Sequence, residues 1–256
     1  MICVPLGFGG ELVEATFLAR PNRFLVEARL GDALVEAHLA DRGRLTETLV
    51  PGARLLLARR PGLGRRTAYQ AVAAYRDSVW RERSALDAEH VPQGAGSPPL
   101  VSLDTHLPNR LILAALRAGA LPRFAGYARV RPEVRIGASR FDFLLEGEAG
   151  RCVLEVKSAG HLASDTALFP DAPTGRGLRH LAELAELARG GTRAAVLFAA
   201  QGQAHAVAMN TAVDPAFAAG LARAAAAGVE VCAYACPLSR AGIVLGEEVP
   251  VRMSLS

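Results

Sequence analysis

Between residues 12 and 76 apolar and polar side chains alternate with a period of two, and turn residues interrupt the alternation. The runs are 12–18, 24–28 and 33–38, with Pro21-Asn22 and Gly31-Asp32 between them, then two more near 54–59 and 67–76. A period of two sends successive side chains to opposite faces, so each run reads as a strand with one face to bury. Runs joined by short turns are hairpins. Five such strands within residues 1–83 fit a small closed barrel. From residue 104 the pattern changes. Helical spacing at 105–118, 175–189 and 214–227 interleaves with strand-like runs at 127–136, 139–146, 151–157, 193–200, 205–208 and 229–235. Helices interleaved with strands predict a mixed sheet covered on both faces.

The expected fold class is therefore α/β (α+β two-domain), with a barrel domain over 1–83, a linker over 84–103 and a mixed-sheet domain over 104–256. At 256 residues, 51% of them hydrophobic, the chain has room for two modest cores. It lacks an apolar run of about 18 residues and an N-terminal leader pattern, so a cytoplasmic protein with no membrane partner is expected. The four cysteines, at 3, 152, 232 and 236, form no CxxC pair and read as reduced core residues.

Charge is uneven. Residues 1–83 carry 13 Arg against 9 acids, whereas residues 84–256 balance 16 basic against 16 acidic side chains. The excess gathers near turns at Arg42, Arg44, Arg59, Arg60, Arg65 and Arg66, where guanidinium groups suit phosphate contacts. A solvated basic rim is the plainer reading of the same residues. Tyr69 and Tyr75 are candidates for stacking on bases, or for the core.

Of the 29 basic residues only one is lysine, Lys157, and it follows Glu155 at i+2. Along a strand those two side chains share a face. Asp142, on the preceding strand of the same hairpin, joins them if the register allows. Two carboxylates and an ammonium on one surface suit a hard cation such as Mg²⁺ or Mn²⁺ that activates water against a phosphodiester, with the lysine stabilising developing charge. A surface salt bridge is the bland alternative. After a loop over 158–177, rich in Gly, Pro and small polar residues, the next helix carries Arg176, His180 and Glu183 at i, i+4 and i+7. Asp171, Arg176 and His180 are placed to reach back toward the carboxylates, and Arg110 and Arg117 on the first helix to line the cleft.

Several stretches resemble the sugar fermentation stimulation protein A (SfsA) family. They are Ser139-Arg140-Phe141-Asp142-Phe143-Leu144-Leu145, Glu155-Val156-Lys157-Ser158, Leu168-Phe169-Pro170-Asp171-Ala172 with Thr174, Arg176-Gly177 and His180-Leu181-Ala182-Glu183-Leu184, Leu107-Pro108-Asn109-Arg110-Leu111, and Asp214-Pro215-Ala216-Phe217. The resemblance implies an N-terminal OB-like barrel joined to a PD-(D/E)xK nuclease-like domain, with DNA as partner and RNA not excluded. It also implies metal-binding acids at Asp142 and Glu155 with Lys157 beside them. Nucleases of this type often use a further glutamate from the preceding helix. The helix at 105–118 has none, which leaves Glu133 as the nearest substitute. In the first domain the family's Asn becomes Asp41 in His38-Leu39-Ala40-Asp41-Arg42-Gly43-Arg44.

Three function classes follow. One is a metal-dependent phosphodiesterase with Asp142, Glu155, Lys157 and His180 as catalytic residues and a barrel that grips DNA. A second is a DNA-binding regulator of sugar-metabolism genes on a nuclease scaffold. A third, a small-molecule enzyme, ranks last, because the glycine clusters at 7–10 and 61–64 do not lie between a strand and a helix.

Overall fold

The computed structural model describes residues 1–41, 43–46, 48–60, 66–76 and 99–253. The chain divides into two compact units, one of Cys3–Leu107 with Leu238–Val244, the other of Met1–Ile2, Pro108–Pro237 and Leu245–Ser256. A short segment near the C-terminus thus returns to the first unit, where Gly242–Val244 pairs with Cys3–Val4.

The first unit is a closed five-stranded barrel of OB type. Its strands are β1 (Leu12–Asn22), β2 (Leu25–Leu30), β3 (Ala33–Leu39), β4 (Arg54–Arg59) and β5 (Tyr69–Tyr75). They run in the order β3-β2-β1-β4-β5, and β3 closes the sheet by pairing parallel with β5 through Ala37–Tyr69, His38–Gln70 and Leu39–Ala71. Closure requires one long, bent strand. β1 supplies it, pairing with β4 along its first half and with β2 along its second, with register shifts on either side of Ala19. The interior is narrow, and alanines 15, 28, 37, 71 and 74 fill it alongside Phe17, Val26, Leu39, Leu55 and Leu57.

The second unit contains α1 (Leu107–Arg117), β6 (Arg129–Ile136), β7 (Ser139–Gly147), β8 (Gly150–Ala159), α2 (Gly175–Arg189), β9 (Arg193–Gln201), α3 (Pro215–Ala226) and β10 (Glu230–Cys236). Its main sheet runs β10-β9-β8-β7-β6, with the two-residue strand Glu248–Val249 on the outer edge of β10. β6, β7 and β8 are antiparallel, whereas β8, β9 and β10 are parallel, joined by α2 and α3. A parallel strand between helices and neighbours is buried on both faces. Every residue of β9 after Arg193 is accordingly buried. Leu181 and Leu184 of α2 and Phe217 and Leu221 of α3 share one core with Val153, Val196 and Phe198. The two helices approach closely at Gly220, where a Cβ would come within 2.4 Å of Leu178.

Asp214 governs both helix starts. Its Oδ1 accepts the Phe217 N–H at 2.9 Å and caps α3, while Oδ2 accepts the Thr174 N–H at 2.8 Å. Thr174 in turn caps α2 by accepting from Gly177.

The stretch 158–177 is not the continuous loop that its composition predicts. It contains strands at His161–Ala163 and Thr166–Phe169, the latter pairing parallel with Ala206–Met209. Thr166, Ala167 and Leu168 are buried there, a run too short to show a period among the glycines and prolines. Cys152, Cys232 and Cys236 are core residues, and burial pushes each thiol up to about 12. Cys3, expected in the core, is exposed on its short edge strand. No helix among the described residues is long and apolar enough to cross a membrane.

Candidate active site

The hairpin of β7 and β8 sets the position of the carboxylates. Its register pairs Leu145 with Cys152, Leu144 with Val153 and Phe143 with Leu154. The next step along that register would place Asp142 opposite Glu155, and there the backbone ladder ends. The Val156 N–H is taken instead by Asp142 Oδ2 at 2.8 Å, and Asp142 Oδ1 accepts from Asn109 Nδ2 of α1 at 2.7 Å. Asp142 is thereby fixed through both oxygens, from a strand on one side and a helix on the other.

Glu155 lies on the β8 face that packs beneath α2, and its side chain is only 5% exposed. Its Oε1 receives the Lys157 ammonium at 2.6 Å and lies 2.6 Å from His180 Nδ1. Arg176 Nε donates to His180 Nε2 at 3.4 Å, so Nε2 is assigned the lone pair and Nδ1–H donates to Glu155. The imidazole is further held against the Phe141 ring, 5.3 Å away. Oε1 thus gathers the donors. Oε2 is buried with no hydrogen-bond partner among the described residues.

The electrostatics of the two acids differ. Burial pushes the Asp142 carboxyl up to about 6, Glu155 adds repulsion, and the Val156 and Asn109 donors and Lys157 only partly offset this. Burial also acts upward on Glu155, but the His180 bond and the Lys157 charge and bond outweigh it, so that carboxyl lies below its usual value.

The other residues singled out in the sequence are placed as follows. Glu133 stands in β6 between the pairs Pro132–Phe143 and Val134–Phe141, opposite Asp142. Its φ of 53° takes it out of the strand conformation, and its exposed carboxylate pairs with Arg140 at 3.4 Å. It is not brought to the Asp142–Glu155 cluster. Glu183 turns aside to accept from Ser139 at 2.8 Å. Asp171 is exposed in the loop before α2, Arg110 is half-buried on α1 and Arg117 is exposed at its end. Asn109 was visible in the sequence only as part of its Pro-Asn-Arg stretch, with no signal that it would hold Asp142.

On the barrel, Arg44 is exposed in a loop pinned by Arg20, whose guanidinium donates to the carbonyls of Asp41, Gly43 and Arg44. Arg59 is exposed but pairs with Glu11 at 3.4 Å. Arg60 and Arg66 line a cavity of about 380 Å³. Arg42 and Arg65 lie outside the described residues. Tyr75 is not a stacking platform, being buried with its hydroxyl donating to Glu14 and the Arg54 guanidinium over its ring.

The family model of the sugar fermentation stimulation protein RE domain matches residues 106–242, and that of the SfsA N-terminal OB domain matches residues 18–80. A sugar fermentation stimulation protein homolog of Chloroflexus aurantiacus is 52% identical over 254 residues, which span 99% of this chain and 90% of the relative. The chain belongs to the SfsA family. A homolog of Moorella thermoacetica is 45% identical over 95% of this chain and 97% of its own length. SfsA of Pyrococcus furiosus, solved in complex with Ca²⁺, is 28% identical and superposes with a TM-score of 0.81 over 98% of this chain and 99% of its own. The barrel followed by a mixed sheet with helices is thus the SfsA architecture.

Proposed function

We propose that this SfsA protein binds DNA through its barrel and hydrolyses phosphodiester bonds at Asp142, Glu155 and Lys157 with Mg²⁺ or Mn²⁺. The observation that carries the reading is Glu155 Oε2, a carboxylate oxygen buried without a hydrogen-bond partner while its twin accepts two donors. An ionised oxygen left so is costly unless a cation completes it.

The donor set fits such an ion. Among the described residues no group of three His, Cys, Asp or Glu side chains is arranged to hold a metal ion, and the proposal assigns the ion to the two carboxylates Asp142 and Glu155. Mg²⁺ is held in this way, through one or two carboxylates plus water and substrate phosphate. The Ca²⁺ of the Pyrococcus relative is likewise a hard, oxygen-seeking cation. When bound, the cation supplies activation of water and neutralisation of phosphate charge.

The chain's own residues do the rest. Asn109 and the Val156 N–H orient Asp142, and the His180 Nδ1–H holds Glu155 Oε1 so that Oε2 stays open. Lys157, 13% exposed, presents an ammonium at the same surface, suited to an attacking water or a developing phosphate charge. Arg176 steadies His180 from its far side. The arginine-rich barrel adds the sequence-independent attraction to phosphates.

That no third ligand joins the two carboxylates among the described residues favours the competing reading of a non-catalytic DNA-binding regulator. Incubating plasmid, single-stranded DNA and RNA with Mg²⁺, Mn²⁺ or EDTA decides between them. Metal-dependent cutting by wild type that is lost in Asp142→Ala and in Lys157→Arg is the expected result. Binding without cutting under every condition would leave the regulator.

A further inference from the structure

Residues 84–256 balance their charges, yet one hairpin of the second unit sets two cations face to face. Arg135 of β6 lies directly opposite Arg140 of β7, on either side of the Gly137-Ala138 turn. Both side chains are exposed. Like charges placed opposite each other across an antiparallel pair destabilise it. Only one acid answers them among the described residues. Glu133 pairs with Arg140 at 3.4 Å, and Arg135 has no ion-pair partner there.

The packing of the hairpin fixes where these cations point. Val134, Ile136 and Phe141 pack into the core shared with α2, and Ser139 donates to Glu183 of that helix at 2.8 Å. Neighbours along a strand alternate between faces, so Arg135, Arg140 and Asp142 are turned the other way. The bond from Asn109 of α1 to Asp142 agrees with that direction. Arg140 and Asp142 are thus two residues apart on one face, about 7 Å along the strand. Successive phosphates of a polynucleotide strand are separated by a similar distance. Protection of a sheet edge does not account for the pair. Arg129 and Arg131 already place exposed charge on the edge strand β6, whereas Arg140 belongs to β7, which is paired on both sides.

We propose that Arg135 and Arg140 form a clamp for the phosphate next to the one at Asp142, holding the substrate strand in register with the carboxylates. A bound phosphate relieves the repulsion between the two guanidiniums and takes planar donors from both. Glu133 steadies Arg140 and leaves Arg135 to the ligand. The ligand is the phosphodiester backbone and not a base, because the aromatic side chains of the hairpin, Phe141 and Phe143, are buried. The inference rests on the nucleic-acid reading above and deepens it. It adds two positioning residues and a phosphate contact on the unit that carries the carboxylates, beside the general attraction of the barrel.

Fluorescence anisotropy of a labelled DNA strand in EDTA, titrated at several salt concentrations against the whole chain, tests the clamp. Replacing both residues, Arg135→Gln with Arg140→Gln, should weaken binding about tenfold and flatten the salt slope by about 1.4–1.8, the contribution of two phosphate contacts. Arg135→Lys with Arg140→Lys keeps the charge and should return the slope to within about 0.3 of wild type. Arg151→Gln removes a charge of the same unit that already pairs with Glu146, and should change the slope by less than about 0.3. With Mn²⁺ and saturating enzyme, the double Gln variant should cut about tenfold more slowly, because a misaligned strand loses rate as well as affinity. An unchanged slope in that variant, an equal fall in Arg151→Gln, or a full cutting rate at saturation would each overturn the clamp. If wild type binds no nucleic acid, the parent reading falls with it. If wild type binds but does not cut, hydrolysis falls and the salt slope still decides the clamp.

Discussion

The single lysine acts through its shape as much as its charge. Lys157 reaches Glu155 with one compact ammonium from a nearly buried position, where a planar guanidinium would need more room and more acceptors. Lys157→Arg should therefore keep DNA affinity within about twofold while lowering the cleavage rate about a hundredfold or more, read in single-turnover assays. Asp142 sets the pH response. Its carboxyl is raised from 3.8 to about 6, so the folded protein holds that proton more tightly than the unfolded chain does. The metal-free fold thus gains from this group below the unfolded value and loses that gain as pH rises through about 6. In the proposed metal-dependent function, a cation bound at Asp142 would displace the same proton. Mn²⁺ affinity should fall about tenfold per pH unit below 6 and level off above it, measurable by calorimetry. Glu133→Gln should leave that affinity within about twofold, because an exposed carboxylate paired with Arg140 contributes little elsewhere.

At the scale of elements, one carboxylate organises the helices that present the site. Asp214 caps α3 and holds the residue that caps α2, and α2 carries Arg176 and His180. Asp214→Ala should cost about 1–3 kcal/mol in chemical denaturation and blunt cleavage by loosening the start of α2. Much of this framework was legible in the sequence. Alternation gave the five barrel strands, the hairpin around Asp142 and Glu155 was bounded by its Gly/Glu turn, and the spacing of Arg176, His180 and Glu183 defined a helix face. What stayed hidden depended on single dihedrals and distant partners. The left-handed backbone of Glu133 leaves no mark in composition, and nothing local to Asn109 or Ser139 announces a bond to Asp142 or Glu183. The strand Thr166–Phe169 was masked because its pairing partner lies forty residues on, at Ala206–Met209.

At the scale of the whole molecule, the proposed function assigns grip to the barrel and chemistry to the second unit, and the arginine excess lies in the stretch that forms the barrel strands. The excess of arginine belongs to residues 1–83, while the remainder is balanced. The carboxylate pair belongs to the second unit, and its own negative charge offers phosphate no attraction. Binding and hydrolysis should therefore separate on mutation, and Glu155→Gln, which keeps the shape of the side chain but not its charge, is the variant that separates them. Affinity for a labelled DNA strand and Mn²⁺-dependent cutting of that strand should be measured on the same samples of wild type and Glu155→Gln. Affinity within about twofold of wild type, with cutting abolished, is the expected result. Cutting that survives in Glu155→Gln, or that persists in EDTA, would contradict a metal-dependent site built on Glu155.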